Sequence, residues 1–347
     1  MYYYLFIFTF SLFTFSLSYD KHTCFINNKI VALLFSVFLI LICGLRFGIG
    51  TDYWNYYKHY VGTSEAVERI EPGFRSLISF SSYIKPNNFA FFVLFIAVLS
   101  VGLKSIYFSK LENPFFAILI YLSLFYFPLD FNVIRQGLAS ALIYFAVEEG
   151  KKKHLGRYIL LVFIASTFHL ASIVFISLYQ LCRVRFSIKM RNVIVIFFIF
   201  LILRVTLLQF IFDSIRTFII SKYSIPVVLQ LVNYFWLDSF SLSLNFFRRL
   251  FFIIIYLLLF GSKNLNCYFL LYLMSFFIST MLTGNEIFAY RLSAWFDIFL
   301  IPLFCSEKIK LTNRNAFVLL CFILSLILMF FLTMRDALPY QVSWGRV

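Results

Sequence analysis

Eleven apolar stretches, separated by short polar ones, organise this chain: 2–19, 30–45, 89–108, 114–129, 131–148, 158–181, 192–212, 248–261, 267–283, 291–305 and 316–334. A helix needs roughly 20 apolar residues to cross the hydrocarbon of a bilayer. The pattern therefore predicts an all-α, polytopic integral membrane protein that forms one domain over 1–347. Two connections are long, 46–88 and 213–247, and the rest are short. The first stretch lacks a basic flank and a small-residue cleavage site, so it is read as a retained helix.

Charge placement sets the orientation, because short cytoplasmic loops gather lysine and arginine. Lys21 and Lys29 follow the first span, which puts the N-terminus outside. If 158–181 is one crossing, the short loops carry eight cations on one side and nine on the other. If it enters and returns, fifteen lie inside and only Arg135 and Arg291 outside. The second arrangement carries the expected bias. It predicts about ten full transmembrane helices plus a re-entrant helical pair near 158–181, turning at Ser166-Thr167-Phe168-His169. Non-helical backbone at membrane depth is tolerated only where it lines a cavity in the protein. This makes His169 a candidate site residue; the other reading is a satisfied histidine in a single helix.

Composition agrees with this class. The chain is 62% hydrophobic and carries a formal charge of +15, with a mean hydropathy of +0.91. In a membrane protein such a charge points to inner loops and anionic lipid rather than to nucleic acid. The six cysteines show neither CxxC nor CxxH spacing, so neither a zinc site nor a disulfide framework is expected. No paired aspartates suggest a divalent metal, and no cofactor is expected.

The same topology puts Arg46, Asp52, Glu71, Arg135, His169, Arg248, Arg249, Glu286 and Arg291 on the outer side. Arg46 and Asp52 lie in GLRFGIGTDYWNYY, whose glycines allow sharp turns and close approach. Tyr53 in that segment, like Tyr290, is a candidate face for a sugar ring, or part of an aromatic belt at the membrane edge. Arg135 and Gln136 open a helix after Pro128 and suit an anion, or Arg135 snorkels to the interface. Arg291 stands at another outer helix start. Arg248 and Arg249 follow the second long connection, and snorkelling fits at least one of them. Pro72 marks a helix start after Glu71, which is then a proton acceptor or a carboxylate favoured by the helix dipole.

Taken in order, GLRFGIGTDYWNYY, IEPGFRSL, FNVIRQGLASALIYFA, STFHLASI and AYRLSAWFD resemble polymerases of the EpsG/Wzy type over roughly residues 30–305. The resemblance implies an enzyme of the bacterial inner (cytoplasmic) membrane acting on undecaprenyl-pyrophosphate-linked oligosaccharides at the periplasmic face. It would transfer a growing O-antigen or related glycan to the non-reducing end of a new lipid-linked unit, without metal or nucleotide sugar. A flippase and a chain-length regulator are the implied partners besides the bilayer. On this reading Arg46, Arg135 and Arg291 neutralise the leaving pyrophosphate, and Asp52 or His169 takes the hydroxyl proton. Tyr53, Glu71, Gln136, Arg248 and Tyr290 bind substrate. The alternatives are a flippase of lipid-linked oligosaccharide and a membrane O-acyltransferase.

Overall fold

The computed structural model describes residues 28–62, 70–185, 244–261, 265–282 and 285–306, with isolated positions between 192 and 218 and between 320 and 327. The expected first span and most of the 213–247 connection lie outside these residues, as does most of the last span. The helices are α1 (Asn28–Gly44), α2 (Tyr53–Val61), α3 (Pro72–Ile84), α4 (Phe89–Phe108), α5 (Pro114–Leu124) and α6 (Ile134–Lys151). They continue with α7 (Leu155–Phe168), a 3-10 helix (Leu170–Arg183), α8 (Leu244–Phe260), α9 (Cys267–Met281), α10 (Glu286–Asp297) and α11 (Leu300–Cys305). Cα packing divides the chain into two compact units, Met1–Arg183 with Phe304–Val347, and Val184–Leu303.

Among the described residues, Phe89–Phe108 and Phe288–Cys305 are long and apolar enough to cross a membrane. Pro114–Leu124 with Tyr126–Asn132 makes a third candidate if this pair, bent by 66°, counts as one span. The ten crossings expected from apolar runs are thus represented here by two or three. One such difference lies at 114–151. Two spans meeting near residue 130 are expected there, but the chain forms α5, a π-helical turn over Tyr126–Asn132, and then α6. π-turns are rare and recur at functional sites.

In the first unit α1 packs on α4 and α6 packs on α4 and α7. Asparagines start several helices: Asn88 accepts from the Phe91 N–H at 2.7 Å and Asn113 from that of Phe116 at 3.1 Å. The 46–88 connection is not an open loop, since it contains α2 and α3. Gly50 has φ +107°, and a Cβ there would sit 2.4 Å from the Phe131 carbonyl oxygen, so only glycine lets this segment rest on the π-turn. The Thr51 N–H completes the contact by donating to Asn132 Oδ1 at 2.9 Å.

Residues 155–183 fold back on themselves. His169 is extended (φ −153°, ψ 110°) between α7 and the 3-10 helix, and both helices pack against α6. At the far end Cys182 returns to Gly150 and Tyr158, and a Cβ on Gly150 would meet Cys182 Sγ at 2.9 Å. The Tyr158 hydroxyl donates to the Phe175 carbonyl. The two ends of 155–183 therefore stand together, with His169 at the tip.

In the second unit α8, α9 and α10 pack together. Each unit is held by a buried charge network. In the first, Lys104 on α4 donates to both Asp130 oxygens at 2.8 and 2.7 Å, with each side chain 1% exposed. Ser100 and Tyr121 complete that carboxylate's shell. Ionisable groups inside apolar helices are expensive unless paired in this way.

Candidate active site at the hairpin tip

Three elements bring three of the expected site residues together. Pro72 fixes the first turn of α3, and Gly73 there leaves no room for a side chain: its Cβ would lie 2.2 Å from Thr167 Oγ1, at the tip of the hairpin. This close approach sets Glu71, just before α3, against the tip. Glu71 Oε2 accepts from Arg135 Nη1 at 2.5 Å, from the second residue of α6. Its Oε1 accepts the Leu170 N–H at 3.3 Å and faces His169 Nδ1 at 3.4 Å. The Glu71 side chain is 15% exposed, whereas Arg135 and His169 are each 30% exposed, so the cluster is open on one side.

Burial pushes the Glu71 carboxyl upward. The approach of the His169 imidazole, its backbone bonds and the charge of Arg135 outweigh burial and bring it down to about 2. Glu71 is therefore an anion at neutral pH and not a proton acceptor. A carboxylate facing one imidazole nitrogen orients the ring and stabilises its protonated form. The Tyr56 hydroxyl on α2 lies against Arg135, and burial raises it so that it stays protonated. With Arg135 and Glu71 cancelling, the cluster is close to neutral.

Other expected site residues lie elsewhere in this unit. Arg46 is 1% exposed and serves the chain itself, a correction to its expected role in gripping phosphate. Its Nε donates to Ile49 O at 3.2 Å, Nη2 to Phe131 O at 3.3 Å and Nη1 to Cys43 O, and its guanidinium stacks 4.7 Å from the Phe131 ring. Five donors in a planar fork can tie three carbonyls at once, which is why a bend of this kind takes arginine. Tyr53 is 2% exposed within an aromatic cluster with Phe47, Trp54 and Phe89, so it offers no open face to a sugar. Asp52 precedes α2 and accepts from Asn55 at 3.4 Å. Gln136 is buried, and its Nε2 has no hydrogen-bond partner among the described residues.

The second unit holds Arg248, Tyr290 and Arg291. Arg249 is not a snorkelling residue. Its Nε and Nη2 grip Asp297 at 2.8 and 2.7 Å, while Ser275, Ser279 and Ser293 take bonds of 2.7, 2.8 and 2.6 Å. Arg248, whose side chain is 23% exposed, shares Asp297 at 2.8 Å. Two guanidinium groups thus stand on one carboxylate, leaving a positive excess. Arg291 and Tyr290 on α10 are exposed. Asp297, missed as a candidate, closes the AYRLSAWFD motif; its signal was a carboxylate inside an apolar run, which requires a partner. Lys104 and Asp130 carried the same signal.

Among the described residues no group of three or more His, Cys, Asp or Glu side chains is placed to hold a metal ion. Comparison with curated proteins and with solved structures finds no match to this chain. The EpsG family model matches residues 29–342, taking in every element that builds the hairpin-tip cluster and the Arg249–Asp297 network, and this all-helical membrane protein belongs to the EpsG family.

Proposed function

We propose that this EpsG-family protein polymerises lipid-linked oligosaccharide repeat units at the outer face of the bacterial inner membrane. The observation that carries the reading is the single Glu71 carboxylate shared by Arg135, the Leu170 N–H and His169 at the tip of a folded-back helical pair. It is a carboxylate–imidazole pair beside a cation, open on one side, which is the equipment for taking a proton from a hydroxyl.

In the reaction, a hydroxyl of the acceptor sugar attacks the anomeric carbon at the reducing end of the donor glycan. A carbon–oxygen bond to the acceptor forms as the bond to the undecaprenyl pyrophosphate breaks. The hydroxyl proton passes to His169 Nε2 as the bond forms, and Glu71 holds the resulting imidazolium. The pyrophosphate departs as an anion and needs cationic donors where its charge develops. Arg135 is already matched by Glu71, which leaves this cluster to the acceptor hydroxyl; in the second unit Arg248 and Arg249 share the one carboxylate of Asp297. O-antigen or a related surface polysaccharide is the proposed product, and a flippase and a chain-length regulator are the proposed partners.

Where the product is O-antigen, deleting the gene is expected to leave lipid A-core bearing one repeat unit and to erase the banded ladder on a gel. Loss of the single unit as well would point to a flippase and overturn the polymerase reading. Sidedness has its own test. Cysteine introduced by Ser187→Cys is expected to be shielded from an impermeant thiol reagent in intact cells, and by Ser64→Cys to label, each measured against the parent chain. External labelling at 187 would overturn the re-entrant reading of 158–181.

A further inference from the structure

One buried polar atom beside the hairpin-tip cluster has no role in the reaction as written. His59 lies one turn after Tyr56 on α2, and residues three apart share a helix face. That face is the one whose Tyr56 hydroxyl lies against Arg135, and the two rings are 6.5 Å apart. His59 Nδ1 is buried and has no hydrogen-bond partner among the described residues. Native proteins seldom leave such an atom unmatched, and those that persist call for an explanation.

The chemistry of the surroundings narrows what the missing partner is. Burial first, and then the charge of Arg135, lowers the His59 imidazole, so the ring is neutral and offers one donor and one acceptor. A phosphate presents acceptors only, and Glu71, bonded to the same Arg135, would repel it. A sugar hydroxyl both donates and accepts, and carries no charge. We infer that His59 is a substrate-binding residue of the acceptor subsite, where Nδ1 takes a hydroxyl of the sugar about to be extended. His169 then removes the proton from the attacking hydroxyl, and His59 holds a neighbouring one. This assignment rests on the polymerase reading above.

The test uses the full-length protein in detergent, with the lipid-linked repeat unit extracted from the deletion strain as donor and acceptor. His59→Ala is expected to raise KM on the order of tenfold with kcat changed by less than about threefold, the signature of lost binding rather than lost chemistry. Asparagine places a polar atom near the position of Nδ1, so His59→Asn is expected to recover most of the loss. An unaltered KM in His59→Ala overturns the assignment. So does a fall in kcat with a reshaped pH profile, which would make His59 a proton-transfer residue. A melting temperature lowered equally in both variants overturns it too, since His59 would then serve packing. If the wild-type protein extends no chains, the polymerase reading fails and the assignment fails with it. Normal extension by wild type and His59→Ala alike removes only the His59 assignment.

Discussion

Glu71→Gln is expected to remove long glycan chains while leaving the protein in the membrane at its normal level. Glutamine keeps the size of the side chain, but its single amide oxygen can take the place of only one of the two carboxylate oxygens that accept from Arg135 and from the Leu170 N–H. It cannot supply the negative charge that steadies a protonated His169. General acid–base catalysis contributes roughly 10²–10⁴ to a rate, and a loss in that range is the expected effect. Gel ladders at matched expression, followed by turnover of the purified protein, measure it. Chains of wild-type length from Glu71→Gln would take the carboxylate out of the mechanism. The pH dependence has a definite sign. The Glu71 carboxyl is lowered from an ordinary value of 4.5 to about 2 in the folded protein. A depressed carboxyl contributes stability that is present above its unfolded value and is lost as pH falls through the folded one. The Glu71 contribution is therefore whole at pH 6–8 and fades only from about pH 4.5 downward. A loss of activity between pH 5 and 7 would therefore not come from Glu71.

The second large effect concerns the integrity of the second unit. Asp297→Ala leaves the Arg249 guanidinium buried with three serine hydroxyls and no carboxylate. Removing one partner of a buried ion pair costs about 3–5 kcal/mol, because the remaining charge stays desolvated. Typical total stabilities are about 5–15 kcal/mol, so most of this protein should fail to accumulate. Replacing both partners, Arg249→Met with Asp297→Leu, is expected to restore part of the membrane level without restoring polymer. Blots of the membrane fraction and melting in detergent follow the effect. A wild-type level of Asp297→Ala would show that the three serine hydroxyls suffice for the buried Arg249 charge.

Trp54 illustrates how position along one helix separates anchoring from binding. It lies two residues from Tyr56, about 200° around α2, so it is turned away from the Arg135 face. It is 50% exposed. On this geometry Trp54, rather than Tyr53, fits the aromatic belt of the membrane edge.

The amino-acid sequence by itself determined the helical class, through apolar runs whose lengths match helices and whose breaks carry Asn, Pro and Gly. It also determined that 158–181 does not run straight, because charge in the flanking loops is balanced only by a single crossing and strongly biased by a return; the fold turns at His169. It marked Glu71, Arg135 and His169 as chemistry-bearing residues near helix ends. Only the tertiary structure decided what those residues do for one another. Glu71 meets Arg135 across 64 positions and Leu170 across 99, and no local period encodes such pairs. Arg46 and Arg135 look alike in sequence, each a cation near an apolar run. They part because carbonyls at Cys43, Ile49 and Phe131 close around the first, while the second stops at an open cluster edge. Arg249 and Asp297 are legible singly as costly charges. Their pairing required α8 and α10 to fold together, since only contact between the two groups offsets the loss of water around each.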